Sequence, residues 1–203
     1  GGDILFDESQ PQQGRNFTTK MWNAFKLVKS WEVASIDQPA HSRLALEWFK
    51  HLLGKVNETL NTQFDQYRIS EALMTVYTTF RDEFSSWLLE PIDRKTYEET
   101  LNIFEQLLQL LHPFMPFITE EIWQTLRERQ DGESIMISRL PKATSYDESY
   151  LLRFEAVKNI IVGIRNIRKQ NNIAFKDVLE LKVKKNERYP ASFDSIIRKM
   201  GNI

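Results

Sequence analysis

No cysteine occurs anywhere in the 203 residues. Disulfides, thiolate nucleophiles and cysteine-ligated zinc are excluded with it, and a reducing, cytoplasmic setting is expected. Histidine is nearly as scarce. His41, His51 and His112 share no metal-ligand spacing, and His112, lying before a proline, is expected to cap or pack rather than to act as a base. No G-x-x-x-x-G-K-[ST] loop, G-x-G-x-x-G turn, H-E-x-x-H pair or G-x-S-x-G elbow is present. The adjacent acids Glu98-Glu99 and Glu120-Glu121 would point about 100° apart on a helix, which makes neither pair an acid–base dyad. They read as solvated faces or as first-turn acids favoured by the helix dipole. The N-x-T triplets at Asn16 and Asn57 carry no meaning without secretion. No catalytic site and no metal site are expected. No apolar run approaches ~18 residues and no basic-then-apolar leader opens the chain, so neither a membrane span nor a signal peptide is expected. The opening Gly1-Gly2 without methionine suggests a piece of a longer polypeptide. Net charge is −1, so any polyanionic partner must be met by a local patch.

What is present is the material of an ordinary globular protein, 41% hydrophobic and 27% charged, with length enough for a substantial core. Charge is segregated along the chain. Residues 151–176 hold six basic residues and one acidic, whereas 81–105 hold three basic and seven acidic. The stretch 14–31, GRNFTTKMWNAFKLVKSW, is the most informative. On a 3.6-residue wheel Phe17, Met21, Ala24, Val28 and Trp31 share one face, with Phe25 and Leu27 at its margins. Arg15, Lys20, Lys26 and Lys29 supply four cations and no acid opposes them. One flank gathers Asn16, Lys20 and Asn23, and on the back Trp22 stands among Arg15, Lys26 and Lys29. A core-seeking helix flanked by amides, cations and an aromatic suits a polyanion with unstacked bases. A basic helix whose tryptophan covers a neighbour fits the same pattern, and both readings stay open at this point.

In chain order, residues 1–13 read as an extended acidic lead-in with a turn at Pro11. Apolar periodicity then predicts helices over 14–31, 42–60, 66–90, 94–111 and 116–128, separated by Pro39, Pro91 and the His112–Pro116 interruption. Short connections imply an antiparallel up-and-down helical bundle, mainly α. Beyond 130 the pattern changes. A short strand is expected at 135–137, a loop at 141–146, and a long helix at 148–171 with Val157, Ile160, Ile164 and Ile167 inward. Lys158, Arg165, Arg168, Lys169 and Asn172 form its neighbouring edge. A second strand is expected at 178–183 (VLELKV) and a final helix at 190–200. The expected division is a lead-in 1–13, a helical bundle 14–130 and a small α+β appendage 131–203.

Four strings carry a resemblance: GGDILFDESQPQQGRNFTTKMWNAFKLVKSW, FDQYRISEALMTVYTTFRDEFSSWLLEPI, LLQLLHPFMPFITEEIWQTL and ESIMISRLP. With the IRNIRKQNNI run they resemble, in order and spacing over essentially the whole chain, the C-terminal half of the bacterial valyl members of the class Ia aminoacyl-tRNA synthetases. The HPFMPFITEEIW string recurs across class Ia, and NFxxKxWNA with LFDE points to the valyl group. The resemblance implies a helical-bundle anticodon-binding domain following a catalytic half. It further implies that the intact enzyme joins valine to tRNA, with ATP and Mg in that other half. The HIGH and KMSKS signatures are absent, as is the terminal coiled-coil arm, so no cofactor is expected in this segment and it should be inactive alone. In class Ia relatives an asparagine and a basic residue one turn later contact anticodon bases, and Asn16 and Lys20 occupy those positions. Arg15 and Asn23 join them as exposed neighbours, and Trp87 matches a tryptophan that some relatives place at the anticodon, although a bundle-core role fits it equally. Arg165, Arg168 and Lys169 are the expected phosphate contacts of the basic helix.

Two departures bear on the site. Many valyl enzymes carry arginine where Lys26 stands, which costs a bidentate fork. They carry Cys-Asp where this chain has Ser85-Ser86, which removes a carboxylate beside Trp87. The expected partner is valine tRNA, with no DNA, no membrane and a monomeric state. The isoleucyl or leucyl synthetases are the alternative within the family. A helical protein-interaction scaffold without an RNA role is the alternative outside it.

Overall fold

A computed structural model describes residues 9–87, 93–184 and 189–203. The first helix, α1, runs Ser9–Ser30. It starts earlier than the composition suggests, because Pro11 falls in its first turn, where no backbone donor is needed. Phe17, Met21, Phe25 and Val28 form its buried row, Ala24 and Trp31 are half-buried, and Leu27 is 57% exposed. Trp22 is half-buried against the core and packs on Phe25, with ring centroids 5.2 Å apart. The acidic start of the expected lead-in, 1–8, lies outside the described residues.

Helix α2 (Ala40–Asp65) follows Pro39 and is the hub of the molecule. It packs against α3, which begins as an α-helix at Ile69–Thr78, widens to a π-helix over Thr79–Phe84 and closes with an α-turn, Ser85–Trp87. Tyr67, at φ 56°, turns the chain between α2 and α3. The helix expected from 66 therefore starts at Ile69, and the expected continuation through Leu88 to Pro91 lies outside the described residues. Helix α4 (Arg94–Leu111) buries Leu101, Phe104, Leu107, Leu108 and Leu111 as the periodicity requires. Asp93 caps it by accepting Thr96 N at 3.0 Å. Helix α5 (Pro116–Leu126) takes Pro116 at its start, and His112 Nδ1 meets Thr119 Oγ1 at 2.8 Å across the corner.

The α+β appendage is not what forms. Among the described residues there is no strand, only an isolated parallel bridge between Ala34 and Asp93. Ile135–Ile137 winds into a 3₁₀ turn because Ser134 accepts from Met136 N. The alternating segment 178–183 finds no ladder partner, although Leu179 N donates to Asn202 O at 3.2 Å. Apolar alternation permits a strand, but only a neighbouring strand completes one.

Helix α6 (Glu148–Gln170) begins at Asp147, whose carboxylate accepts Ser149 N at 2.8 Å and Tyr150 N at 3.2 Å. Its inward row is Leu151, Phe154, Val157, Ile161, Ile164 and Arg168. The expected arc is thus rotated, with Ile160 only half-buried and Ile167 53% exposed. A 3₁₀ turn, Ala191–Phe193, leads into α7 (Asp194–Gly201). Both α6 and α7 pack on α2 and on each other. Trp48 of α2 stacks on Phe154 of α6 at 4.2 Å, joining the C-terminal helices to the same core as Phe80, Phe84 and Phe104. No helix among the described residues is long and apolar enough to cross a membrane.

Candidate nucleic-acid interface

The π segment of α3 decides how α1 meets the bundle. A wider turn shifts the backbone ladder by one residue, and carbonyls there take partners from side chains. Ser85 Oγ donates to Phe80 O at 3.1 Å, and Lys20 Nζ reaches from α1 to Arg81 O at 2.7 Å. Phe17 packs on Tyr77 at 4.5 Å and edge-on to Phe80 at 5.7 Å, fixing the rotation of α1. Arg81 lies over the Tyr77 ring and forks onto both Asp82 oxygens at 2.7 Å. That bidentate hydrogen bond holds the Asp82 carboxyl below the usual carboxylate range, and the nearby Lys20 charge adds to the effect.

With α1 held this way, Arg15, Asn16 and Asn23 are exposed and Lys20 is half-buried along one flank. Asn16 Oδ1 accepts from Gln12 Nε2 at 2.9 Å, leaving its amide protons for an outside acceptor. Lys20 commits one proton to Arg81 O and keeps two. A groove of about 220 Å³ follows directly, lined by Lys20, Asn23 and Leu27 on α1, by Trp31 just beyond its end, and by Phe84 and Ser85 on α3. Its lining is mainly apolar with a few polar groups, Lys20, Asn23 and Ser85, a composition that suits a flat ring with a hydrogen-bonding edge. Helical periodicity alone does not predict the groove. The row Lys20, Asn23, Leu27, Trp31 continues the amide–cation flank at helical spacing, but Trp31 is half-buried against the core and reads in the sequence as a core-facing residue.

Trp87, on the far side of the same end of α3, is 9% exposed and packs edge-on to Phe154 at 6.3 Å. Arg165 lies over it with its guanidinium carbon 5.6 Å from the ring, and Lys158 Nζ is 5.7 Å away. The ring is a core element under a cationic lid, not an open stacking face. Lys158 is itself paired with Glu83 at 2.6 Å, whereas Arg165 and Lys169 are exposed.

Arg168 requires correction. It is 5% exposed and its guanidinium donates to the carbonyls of Ala174, Asp177, Gly201 and Asn202 at 2.8–3.3 Å. Every donor faces a backbone oxygen, so none is left for a phosphate. A buried cation without a carboxylate is stable here because the last carbonyls of α7 carry the negative end of its dipole. Among the described residues no cluster of three or more His, Asp or Glu could hold a metal ion.

A helical bundle with an amide-and-cation helix face beside an apolar groove is an architecture that nucleic-acid-binding helical domains can use. Comparison with known families makes the assignment specific: residues 47–183 match the family described as the anticodon-binding domain of tRNA ligase, and the chain belongs to that family. All of the chain aligns with valine–tRNA ligases of Phocaeicola vulgatus (52% identity), Porphyromonas gingivalis (50%) and Parabacteroides distasonis (50%). It spans about a quarter of the length of these curated relatives, 24% of each.

Proposed function

We propose that this chain is the tRNA-reading segment of a valine–tRNA ligase, docking the anticodon loop of valine tRNA along α1 and the end of α3. The observation that carries the reading is the groove itself. Lys20, Asn23 and Ser85 line it together with apolar side chains, and α1, which supplies the first two, has no acidic residue. Asn16 and Asn23 offer amides to base edges, Lys20 and Arg15 offer charge to the backbone, and Leu27 and Trp31 wall an unstacked base. Arg165 and Lys169 extend the basic surface along α6. In the intact protein this segment orients the tRNA while valine activation, with ATP and Mg, proceeds in another part of the polypeptide. The working form is a cytoplasmic monomer.

The test is a fluorescence titration of the chain with valine tRNA and with the same tRNA carrying an altered anticodon, each at two salt concentrations. Preference for the native anticodon is expected to be lost in Asn16→Ala and Asn23→Ala. Lys169→Ala is expected to weaken both tRNAs evenly and to reduce the salt slope by roughly one phosphate contact, 0.7–0.9 in log–log terms. Identical discrimination by wild type and both asparagine variants would refute the placement. Salt-insensitive behaviour throughout would favour a protein-interaction scaffold.

A further inference from the structure

The loop that leaves α6 carries an exposed aromatic ring that neither the groove nor the anticodon reading uses. Residues 165–176, RNIRKQNNIAFK, hold four cations and no acid. Arg168 is withdrawn into the interior, and Arg165, Lys169 and Lys176 remain at the surface. Among them stands Phe175, 59% exposed. An isolated exposed apolar residue usually means little. Here, however, the backbone beneath the ring is unusually well held.

Ile173 N donates to Arg168 O at 2.9 Å and Asp177 N to Ala174 O at 3.1 Å. Asn172 makes the reversal in the left-handed region, at φ 52°. Arg168 Nη1 ties Ala174 O at 2.9 Å and Asp177 O at 2.8 Å, the carbonyls that bracket Phe175. Asn202 Nδ2 then takes Phe175 O itself at 2.7 Å. The Arg168 guanidinium carbon lies 5.7 Å from the Phe175 ring centroid. A well-held loop that keeps a large aromatic ring in water, with Lys169 and Lys176 exposed in the same stretch, has already met much of the ordering cost of binding.

We infer that the 169–177 loop is a second RNA-binding element, in which Phe175 stacks on an unpaired base and Lys169 and Lys176 contact the phosphates on either side. The inference rests on the tRNA-reading proposal and extends it to a contact made by the C-terminal part of the chain. Arg168 acts here as a positioning residue, turning a cation that sequence alone would assign to phosphate into the brace for an aromatic platform. Aromatic–base stacking is tolerant of base identity, so this element supplies affinity and leaves anticodon discrimination to α1.

The test uses the 203-residue chain with fluorescein-labelled tRNA and, separately, labelled heparin as a polyanion without bases. Phe175→Ala is expected to weaken tRNA binding roughly 5- to 150-fold, the range set by loss of one base–aromatic stack. The salt slope and heparin binding should be unchanged. Phe175→Tyr should restore affinity, and Lys176→Ala should lower the slope by roughly 0.7–0.9 and weaken heparin as well. Matching thermal melts of wild type and Phe175→Ala confirm that the loop change is local. Wild-type affinity in Phe175→Ala overturns this inference and leaves the anticodon reading standing, as does an equal loss on heparin. Failure of the wild-type chain to bind tRNA at all overturns both.

Discussion

Alanine at Gly54 sets two effects of opposite sign against each other in the middle of α2. Helix propensity favours alanine over glycine by about 1 kcal/mol at an interior position. Geometry opposes it. A Cβ on Gly54 would lie 2.8 Å from Thr144 O, 3.1 Å from Tyr146 Cβ and 3.2 Å from Thr144 Oγ1. Two of these three atoms are a backbone oxygen and a β-carbon, so rotating a side chain relieves little. The loop carrying them is pinned to α2 on both sides, with Tyr146 OH on Glu58 at 2.6 Å, Asp147 N on His51 Nδ1 at 3.1 Å and Lys55 on Glu148 at 2.8 Å. Overpacking a held interface costs about 1–3 kcal/mol, and displacing the loop would loosen these anchors too. Overpacking therefore outweighs propensity, and Gly54→Ala is expected to lose up to about 2 kcal/mol net. At this chain length that corresponds to a fall in Tm of up to about 8 °C, at about 2–4 °C per kcal/mol. Gly163→Ala in α6 is the control, because nothing lies within 4 Å of the place its new methyl would take. It should gain up to about 1 kcal/mol from propensity alone. Thermal unfolding followed by far-ultraviolet circular dichroism reads both. A Gly54→Ala midpoint at or above wild type, with Gly163→Ala rising as expected, would refute the close approach of the 141–147 loop.

Removing the Arg168 guanidinium as Arg168→Met orphans the Asp177 and Gly201 carbonyls, while Ala174 O keeps Asp177 N and Asn202 O keeps Leu179 N; at about 1–3 kcal/mol per orphaned buried group the loss should exceed about 2 kcal/mol in urea unfolding. Arg168→Lys should recover only part of it, since one ammonium cannot span four acceptors. Asp93→Ala removes the α4 cap and should cost about 1 kcal/mol at neutral pH. Burial alone would push the Asp93 carboxyl up, but hydrogen bonds from Thr96 outweigh it and hold the group below the usual aspartate range. The unfolded chain therefore binds this proton more readily than the folded one. The contribution is complete above the ordinary aspartate pKa and lost as pH falls through the lower folded value, so the stability gap between wild type and Asp93→Ala should close in acid. Trp87→Ala should cost about 3–5 kcal/mol as a core truncation. Trp87→Phe, which keeps an aromatic edge on Phe154, should leave tRNA affinity unchanged; a clear loss there with an unaltered melt would show that Trp87 touches RNA.

Much of the bundle is legible in the sequence because its information is local. The α4 row Leu101, Phe104, Leu107, Leu108 and Leu111 is buried as its spacing requires, and α4 begins at Arg94 behind a capping aspartate. On α1, Phe17, Met21, Phe25 and Val28 are inward, while Asn16 and Asn23 remain outside. The π segment of α3 is not legible, since nothing in TFRDEF marks a change of helical pitch. With it go the anchoring of Lys20 on Arg81 O and the groove beside Ser85. The strands expected at 135–137 and 178–183 rest on alternation alone, and alternation does not specify a partner.

Periodicity, caps and proline positions by themselves determined that this protein is a set of amphipathic helices, where most of them end, and that one basic, acid-free helix carries the amides. Each follows from interactions within a few residues. Only the tertiary structure decided the fate of chemically equivalent neighbours. Arg168 and Lys169 are adjacent cations on one helix, and the rotation of α6 against α2 and α7 buries the first among carbonyls and leaves the second in water. Gly54 likewise looks like a weak point in a helix until Thr144 O is found where its methyl would be. Burial of a charge and close approach of a backbone depend on contacts made across 33 or 88 residues of chain, and no periodicity within one helix encodes them.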